Sequence, residues 1–192
     1  MITTEEIKKL RDKTGVSVMQ CKKALEEADG NFEKAIVILR KKSSEIASKK
    51  GDRELGAGVV ASYLHTTQAV GAMVVLSSET DFVSKNDEFR KLAYDIAMHV
   101  AASNPEYLSL NDITPEAKQV AEEVFAEEVK GKPEDLKEKI LEGKLASYFS
   151  DKVLLEQPYI KNPEITVGGL VNEAVQKFGE RVEISKYVRL SV

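Results

Sequence analysis

Tryptophan is absent from these 192 residues, cysteine occurs once, histidine twice and proline five times. A single cysteine, Cys21, excludes an internal disulfide framework and suits a reducing compartment. With His65 and His99 as the only histidines, no Cys-x-x-Cys, His-Glu-x-x-His or acid cluster stands at metal-ligand spacing. A metal site and a cofactor are therefore not expected. There is no Gly-x-x-x-x-Gly-Lys-Ser/Thr loop to cradle a nucleotide. Ser77, Ser78 and Ser84 lack the motif context of a nucleophile, so catalytic chemistry is not expected either. Apolar runs extend only a few residues, far short of a membrane span. Met1 to Glu6 has neither the basic residues nor the apolar run of a signal peptide. A soluble, cytoplasmic protein with no membrane contact follows as the expectation.

The formal net charge is −4, unevenly spread. Residues 1–50 carry twelve Lys/Arg and eight Asp/Glu, a net of +4, which leaves 16 − 24 = −8 for the remainder. A mildly basic head on an acidic body lacks the concentrated basic face of a nucleic-acid binder.

Helix punctuation is legible in residues 1–42. Thr3 and Glu6 form a capping box, Gly15 ends the first helix, and Ser17 with Gln20 forms a second box. Cys21, Ala24, Leu25 and Ala28 then share one helix face, and Gly30 and Asn31 separate it from a third helix running from Phe32 to about Lys42. Cys21 reads as a small buried hydrophobe. Val16, Val18 and Met19 are more apolar than a turn requires. They form either a staple into the head's core or an exposed docking patch. Residues 43–57 are polar and broken by glycine, a tether, helical at its start, that lets the head move against the body.

Residues 58–192 read as one α+β unit. Val59–His65 and Val70–Ser77 make a hairpin about Thr66-Thr67-Gln68. A helix follows to Ser103, another starts at Thr114-Pro115 and runs to Gly131, a shorter one starts at Pro133, and a further one spans Leu145 to about Leu155. Thr166 caps a helix ending at Phe178. The closing stretch places Val182, Ile184, Val188, Leu190 and Val192 on one buried strand face, with Lys186 the exception. The expected architecture is a three-helix head followed by a small three-stranded antiparallel sheet packed with helices.

Between the second strand and its helix lies Thr80-Asp81-Phe82-Val83. By pattern alone Phe82 is a core residue, since aromatics are mostly buried, and Asp81 a helix-start residue. Loops held by rigid elements are also where binding groups sit. The segment Ser78 to Asn86 resembles the Thr-Asp-Phe-Val signature of the elongation factor Ts family. The likeness extends to Leu10-Arg11-x-Lys13-Thr14-Gly15, Cys21-Lys22-Lys23-Ala24-Leu25 and Lys34-Ala35-Ile36 in the head, which resembles a ubiquitin-associated fold. It continues through Leu155-Glu156-Gln157-Pro158-Tyr159, Thr166-Val167 and Tyr187-Val188-Arg189.

That resemblance implies a guanine-nucleotide exchange factor for the GTPase elongation factor Tu. Thr80, Asp81, Phe82 and Val83 would then disturb the partner's Mg²⁺ and phosphate site, and Val16, Val18 and Met19 would dock on its GTPase domain. The alternative is an adaptor whose ubiquitin-associated-like head binds another protein without exchange; such a module would not need Thr80 to Val83. Longer family members carry two core halves, whereas this chain has one. Ser62-Tyr63-Leu64-His65 and the segment Ala97 to Ala102 resemble the second half, Thr80 to Val83 the first. The resemblance therefore also implies a homodimer, paired through sheet edges, with His65 and His99 contacting the GTPase.

Overall fold

A computed structural model of the chain describes residues 2–130 and 133–192. Three helices open it: α1 (Thr4–Thr14), α2 (Val18–Glu27) and α3 (Phe32–Lys49). The Thr3–Glu6 capping box is reciprocal, and Gly15 closes α1 in the left-handed region at φ 68°. Ser17 caps α2 by accepting from the Gln20 amide. The Gln20 side chain does not complete a box; it accepts from Gln176 in the body at 3.4 Å. Leu10, Cys21, Ala24, Leu25, Ala35, Ile36 and Leu39 form the head's own core.

The third helix runs seven residues beyond Lys42, to Lys49. Its extension is held by burial: Ser43 is buried with its hydroxyl donating to the Arg40 carbonyl, and Ile46 and Ala47 pack against the main core. This stretch lies on α8 (Val167–Phe178), so the start of the expected tether is a packed surface. Arg40 crosses the joint. Its guanidinium donates to the Glu164 carbonyl at 3.2 Å and pairs with Glu173 at 3.5 Å. Burial raises the Glu173 carboxyl above the usual range, against the opposing pull of Arg40.

The body is built on β1 (Ala57–Leu64), β2 (Val70–Ser78) and β5 (Val182–Ser191), antiparallel in the order β1-β2-β5. After β2 come the one-turn α4 (Asp81–Ser84) and α5 (Asp87–Ser103), which ends at Asn104 in the left-handed region. Phe89, Ala93, Ile96, Ala97 and Val100 of α5 pack on Ala72, Val74 and Leu76 of β2, with α8 completing the core. A short 3-10 turn at Leu110–Asp112 precedes α6 (Pro115–Val129), capped by Thr114. The expected stop at Gly131 lies outside the described residues.

Residues 133–155 are not two helices. A single α7 (Glu134–Ser150) passes through Gly143 and pairs with α6 around Phe149, Ala121 and Ile113. One glycine costs a helix interior about 1 kcal/mol, which that packing offsets. The extended segment at Pro158 is half of a ribbon, β3 (Pro158–Tyr159) with β4 (Asn162–Thr166).

The closing strand also departs from its expected face. Leu76 pairs with Ile184 but Val75 pairs with Lys186, so Ser185 is an extra residue, a β-bulge. Beyond it the alternation inverts. Tyr187 donates to the Pro105 carbonyl and Arg189 to the Ala101 carbonyl, each at 3.0 Å, while Val188, Leu190 and Val192 are exposed. Arg189 thereby satisfies a carbonyl in the last turn of α5, where a cation is favoured.

Arg40→Ala should cost about 1–3 kcal/mol in urea unfolding, because it strips a half-buried carboxylate of its partner. Adding Glu173→Gln should return part of that loss. An unchanged unfolding midpoint in Arg40→Ala would show that the joint does not depend on this pair.

Candidate functional site

The end of β2 is held on both sides by backbone pairing, Ser78 facing Ala57 and Val182. From there the chain turns sharply. The Ser78 hydroxyl donates to the Thr80 carbonyl at 3.0 Å, and Thr80 is the N-cap of α4. Four residues make too short a helix to persist unaided. Val83 anchors this one, 3% exposed within the main core, and the Asn86 amide donates to the Val83 carbonyl at 3.0 Å. Asn86 then caps α5.

Phe82 projects from this anchored turn and is 83% exposed. The core position expected from pattern alone is occupied by Phe89, which meets Phe178 edge to face at 5.7 Å. Asp81 is exposed beside it and accepts from Lys85 at 2.6 Å. That hydrogen bond, with the lysine's charge, holds the Asp81 carboxyl below the usual range, so it is ionised at neutral pH.

Two carboxylates tie the turn to the α8–β5 connection. Glu79 accepts from the Arg181 amide at 2.5 Å and from Arg53 at 3.1 Å, and the Arg181 amide holds its carboxyl low. Glu180 accepts from the Thr80 amide at 2.9 Å and the Thr80 hydroxyl at 2.5 Å. Neither Glu79 nor Glu180 was picked out by sequence reasoning. The partners lie about a hundred residues apart, and the nearest local signal is Gly179, which ends α8 at φ 72°. Gly58 presses this region together from β1: a Cβ there would stand 2.7 Å from the Leu76 carbonyl oxygen.

The remaining candidates divide. Val18 and Met19 are 53% and 70% exposed at the start of α2, an apolar pair facing solvent. Val16 is 2% exposed and belongs to the head's core, because the turn before α2 folds it against Cys21, whose thiol donates to the Val16 carbonyl at 3.5 Å. Burial pushes that thiol's pKa up, which keeps it protonated. His65 is exposed at the hairpin end, its Nδ1 2.9 Å from the Thr67 hydroxyl.

His99 does not reach the surface: it is 0% exposed, contrary to a contact role. Helix α5 turns it inward, where Nε2 donates to Gln157 Oε1 at 2.9 Å and Nδ1 accepts from the Ile160 amide at 3.3 Å. Gln157 Nε2 donates in turn to the Asp151 carbonyl at 2.6 Å. This chain of bonds fixes the β3–β4 ribbon to α5 and requires a neutral ring. Among the described residues no group of three or more metal-binding side chains forms, and no helix is long and apolar enough to cross a membrane.

Comparison with known proteins places these residues in context. The family model described as Elongation factor TS matches residues 4–192. The chain is 47% identical to elongation factor Ts of Thermodesulfovibrio yellowstonii over 192 residues, covering 100% of this chain and 96% of that one. It is 44% identical to the Thermosipho melanesiensis protein of the same name, covering 100% and 99%. The Carboxydothermus hydrogenoformans relative is 45% identical, covering 100% and 89%.

Burial lowers the His99 pKa from its ordinary 6.5, and the Gln157 bond only partly offsets that. A depressed folded-state value means the unfolded chain binds the proton first as pH falls. The stability that His99 provides is therefore complete above about 6.5 and is lost as pH drops through the folded-state value. Urea unfolding should weaken between pH 7 and pH 5, and His99→Gln should flatten that slope. An equal slope in both proteins would assign the dependence to other groups.

Proposed function

The chain belongs to the elongation factor Ts family, and from that premise we propose that it is a guanine-nucleotide exchange factor acting in cytoplasmic translation. Its partner is elongation factor Tu in the GDP form, whose Mg²⁺ and phosphate site it disturbs so that GDP leaves. It supplies no bond-making chemistry of its own. The observation that carries the reading is Phe82, a large aromatic held out in solvent by a turn whose next residue, Val83, is buried. An anchored, exposed aromatic is what a wedge into a partner's pocket requires.

The mechanism is a coupling of two binding equilibria. A factor that binds the nucleotide-free GTPase more tightly than the GDP form must, by reciprocity, weaken GDP. A 10⁴-fold effect needs about 5.5 kcal/mol of differential interaction. An inserted aromatic anchor supplies about 2–4 kcal/mol of that. The ionised Asp81 beside it brings negative charge toward phosphates and Mg²⁺, and Mg²⁺ tolerates little departure from octahedral geometry. Thr80 and Val83 act by holding the turn. Val18 and Met19 offer a second apolar contact on the head, while Val16 lies in the head's core.

The working form is a homodimer. The surface that favours it is the open face of the sheet, not its edges. Val60 and Leu64 on β1, Met73 on β2, and Val188 and Leu190 on β5 all lie exposed on the face away from α5. A second copy related by a two-fold axis would cover this stripe and bring His65 of one copy and Phe82 of the other to one GTPase.

Purified chain should accelerate release of fluorescent GDP from elongation factor Tu. Phe82→Ala should cut that acceleration ten-fold or more, about 1.4 kcal/mol, while unfolding within about 0.5 kcal/mol of the parent. Asp81→Ala should be milder and more sensitive to Mg²⁺ concentration. Undiminished exchange by Phe82→Ala would remove the wedge from the mechanism.

Light scattering should give twice the chain mass of 21.3 kDa, falling to one copy in Leu190→Glu. A monomer forming a fully active one-to-one complex would overturn the dimer.

A further inference from the structure

The exposed Phe82 takes its direction from backbone alone, and that backbone is pinned at two points. On the C-terminal side Val83 is sunk in the core. On the N-terminal side the Ser78 hydroxyl holds the Thr80 carbonyl, and the Thr80 amide and hydroxyl are held from the opposite end of the chain. Ser78 and Val182 form the last pair of the β2–β5 ladder. Past it the two backbones part, and side chains carry the connection on: Glu79 accepts from the Arg181 amide, and Glu180 accepts from the Thr80 amide.

Thr80 shows what this costs locally. An N-cap threonine ordinarily turns its oxygen onto a backbone amide of its own first turn. Here it makes no such bond, and its hydroxyl donates to Glu180 Oε1 instead. Glu180 thus takes both Thr80 donors. Its own place is fixed by Gly179 in the left-handed region and by Phe178 against Phe89.

We propose that Glu180 is a positioning residue for nucleotide exchange, acting through Thr80 to aim Phe82 and Asp81. The inference rests on the exchange reading above. A loosely held turn would have to be ordered at the moment of insertion, and that ordering subtracts from the interaction available to displace GDP.

The test combines exchange kinetics with deuterium uptake on the full chain. Parent, Glu180→Ala, Glu180→Gln, Phe82→Ala and the Glu180→Ala/Phe82→Ala pair are each titrated against elongation factor Tu carrying fluorescent GDP. Uptake is followed over residues 78–86. Glu180→Ala should unfold at the parent's urea concentration, take up deuterium faster over the turn, and lose about ten-fold in maximal release rate. Its half-saturating concentration should move little, since the other contacts remain. Glu180→Gln keeps one acceptor and should fall between. With Phe82 already removed, Glu180→Ala should cost much less, only the milder share carried by Asp81.

A full maximal rate in Glu180→Ala, or an equal loss with Phe82 absent, overturns the proposal. Unchanged uptake over the turn also overturns it, whatever the exchange result. If the parent itself releases no GDP, it is the exchange reading that fails, and the uptake data still decide whether Glu180 holds the turn.

Discussion

Pairing of β2 on both sides is the constraint on which the rest of the body depends. A central strand has its amides and carbonyls committed to neighbours, so it cannot slide or fray as an edge strand can. Its inner residues, Ala72, Val74 and Leu76, give α5 a fixed surface to pack on. Its end then becomes a fixed origin for the turn that follows. Thr80 to Phe82 are exposed, yet they begin at Ser78, which is fully buried and paired to β1 and β5. An exposed group attached to an immovable base is a different object from the same group on a loop. It presents one shape to a partner and leaves little freedom to be lost on contact.

Head and body meet through α3 lying on α8. The contact mixes apolar packing from Ile46 and Ala47 with the half-buried Arg40–Glu173 pair and the polar bonds of Gln20 and Ser44 to Gln176 and Asn172. Polar groups at such a joint add little net energy but restrict its geometry, because an offset partner leaves a desolvated group unpaired. The apolar pair Val18 and Met19 therefore sits at a defined position relative to Phe82. In an exchange factor gripping one GTPase at two places, that spacing would matter as much as either contact.

Much of this was legible in the sequence because it is locally encoded. The caps at Thr3, Ser17, Asn31, Thr114 and Thr166 each accept from an amide three residues on. β1 alternates as a half-buried strand should, and β2 does so from Ala72 to Leu76. What escaped was non-local. Nothing near Ser43 marks it as buried, since α8 covers it from far along the chain. Val16 looks like Val18 in sequence and differs only because the turn folds it inward. His99 sits on an apolar helix face, and its neutral ring follows from burial and from the Ile160 amide, 61 residues away, that donates to Nδ1. Helical spacing puts Phe89 inside, whereas pattern alone puts Phe82 there too, and only the packing leaves it in solvent. The Glu180–Thr80 bond joins sites that no periodicity could connect.

The bulge at Ser185 acts on β5 as a shift of reading frame acts on a message. Upstream of it the inner letters are Val182 and Ile184; downstream they are Tyr187 and Arg189. Pairing Ser185 regularly into the ladder would leave every later side chain chemically intact and send each to the wrong side. Val188 and Leu190 would be driven against α5, and the arginine that satisfies the Ala101 carbonyl would point to solvent. The strand's meaning thus resides in its pairing register as much as in its composition. A lineage carrying this fold can exchange one apolar residue for another along β5 far more freely than it can change the register beyond Ser185.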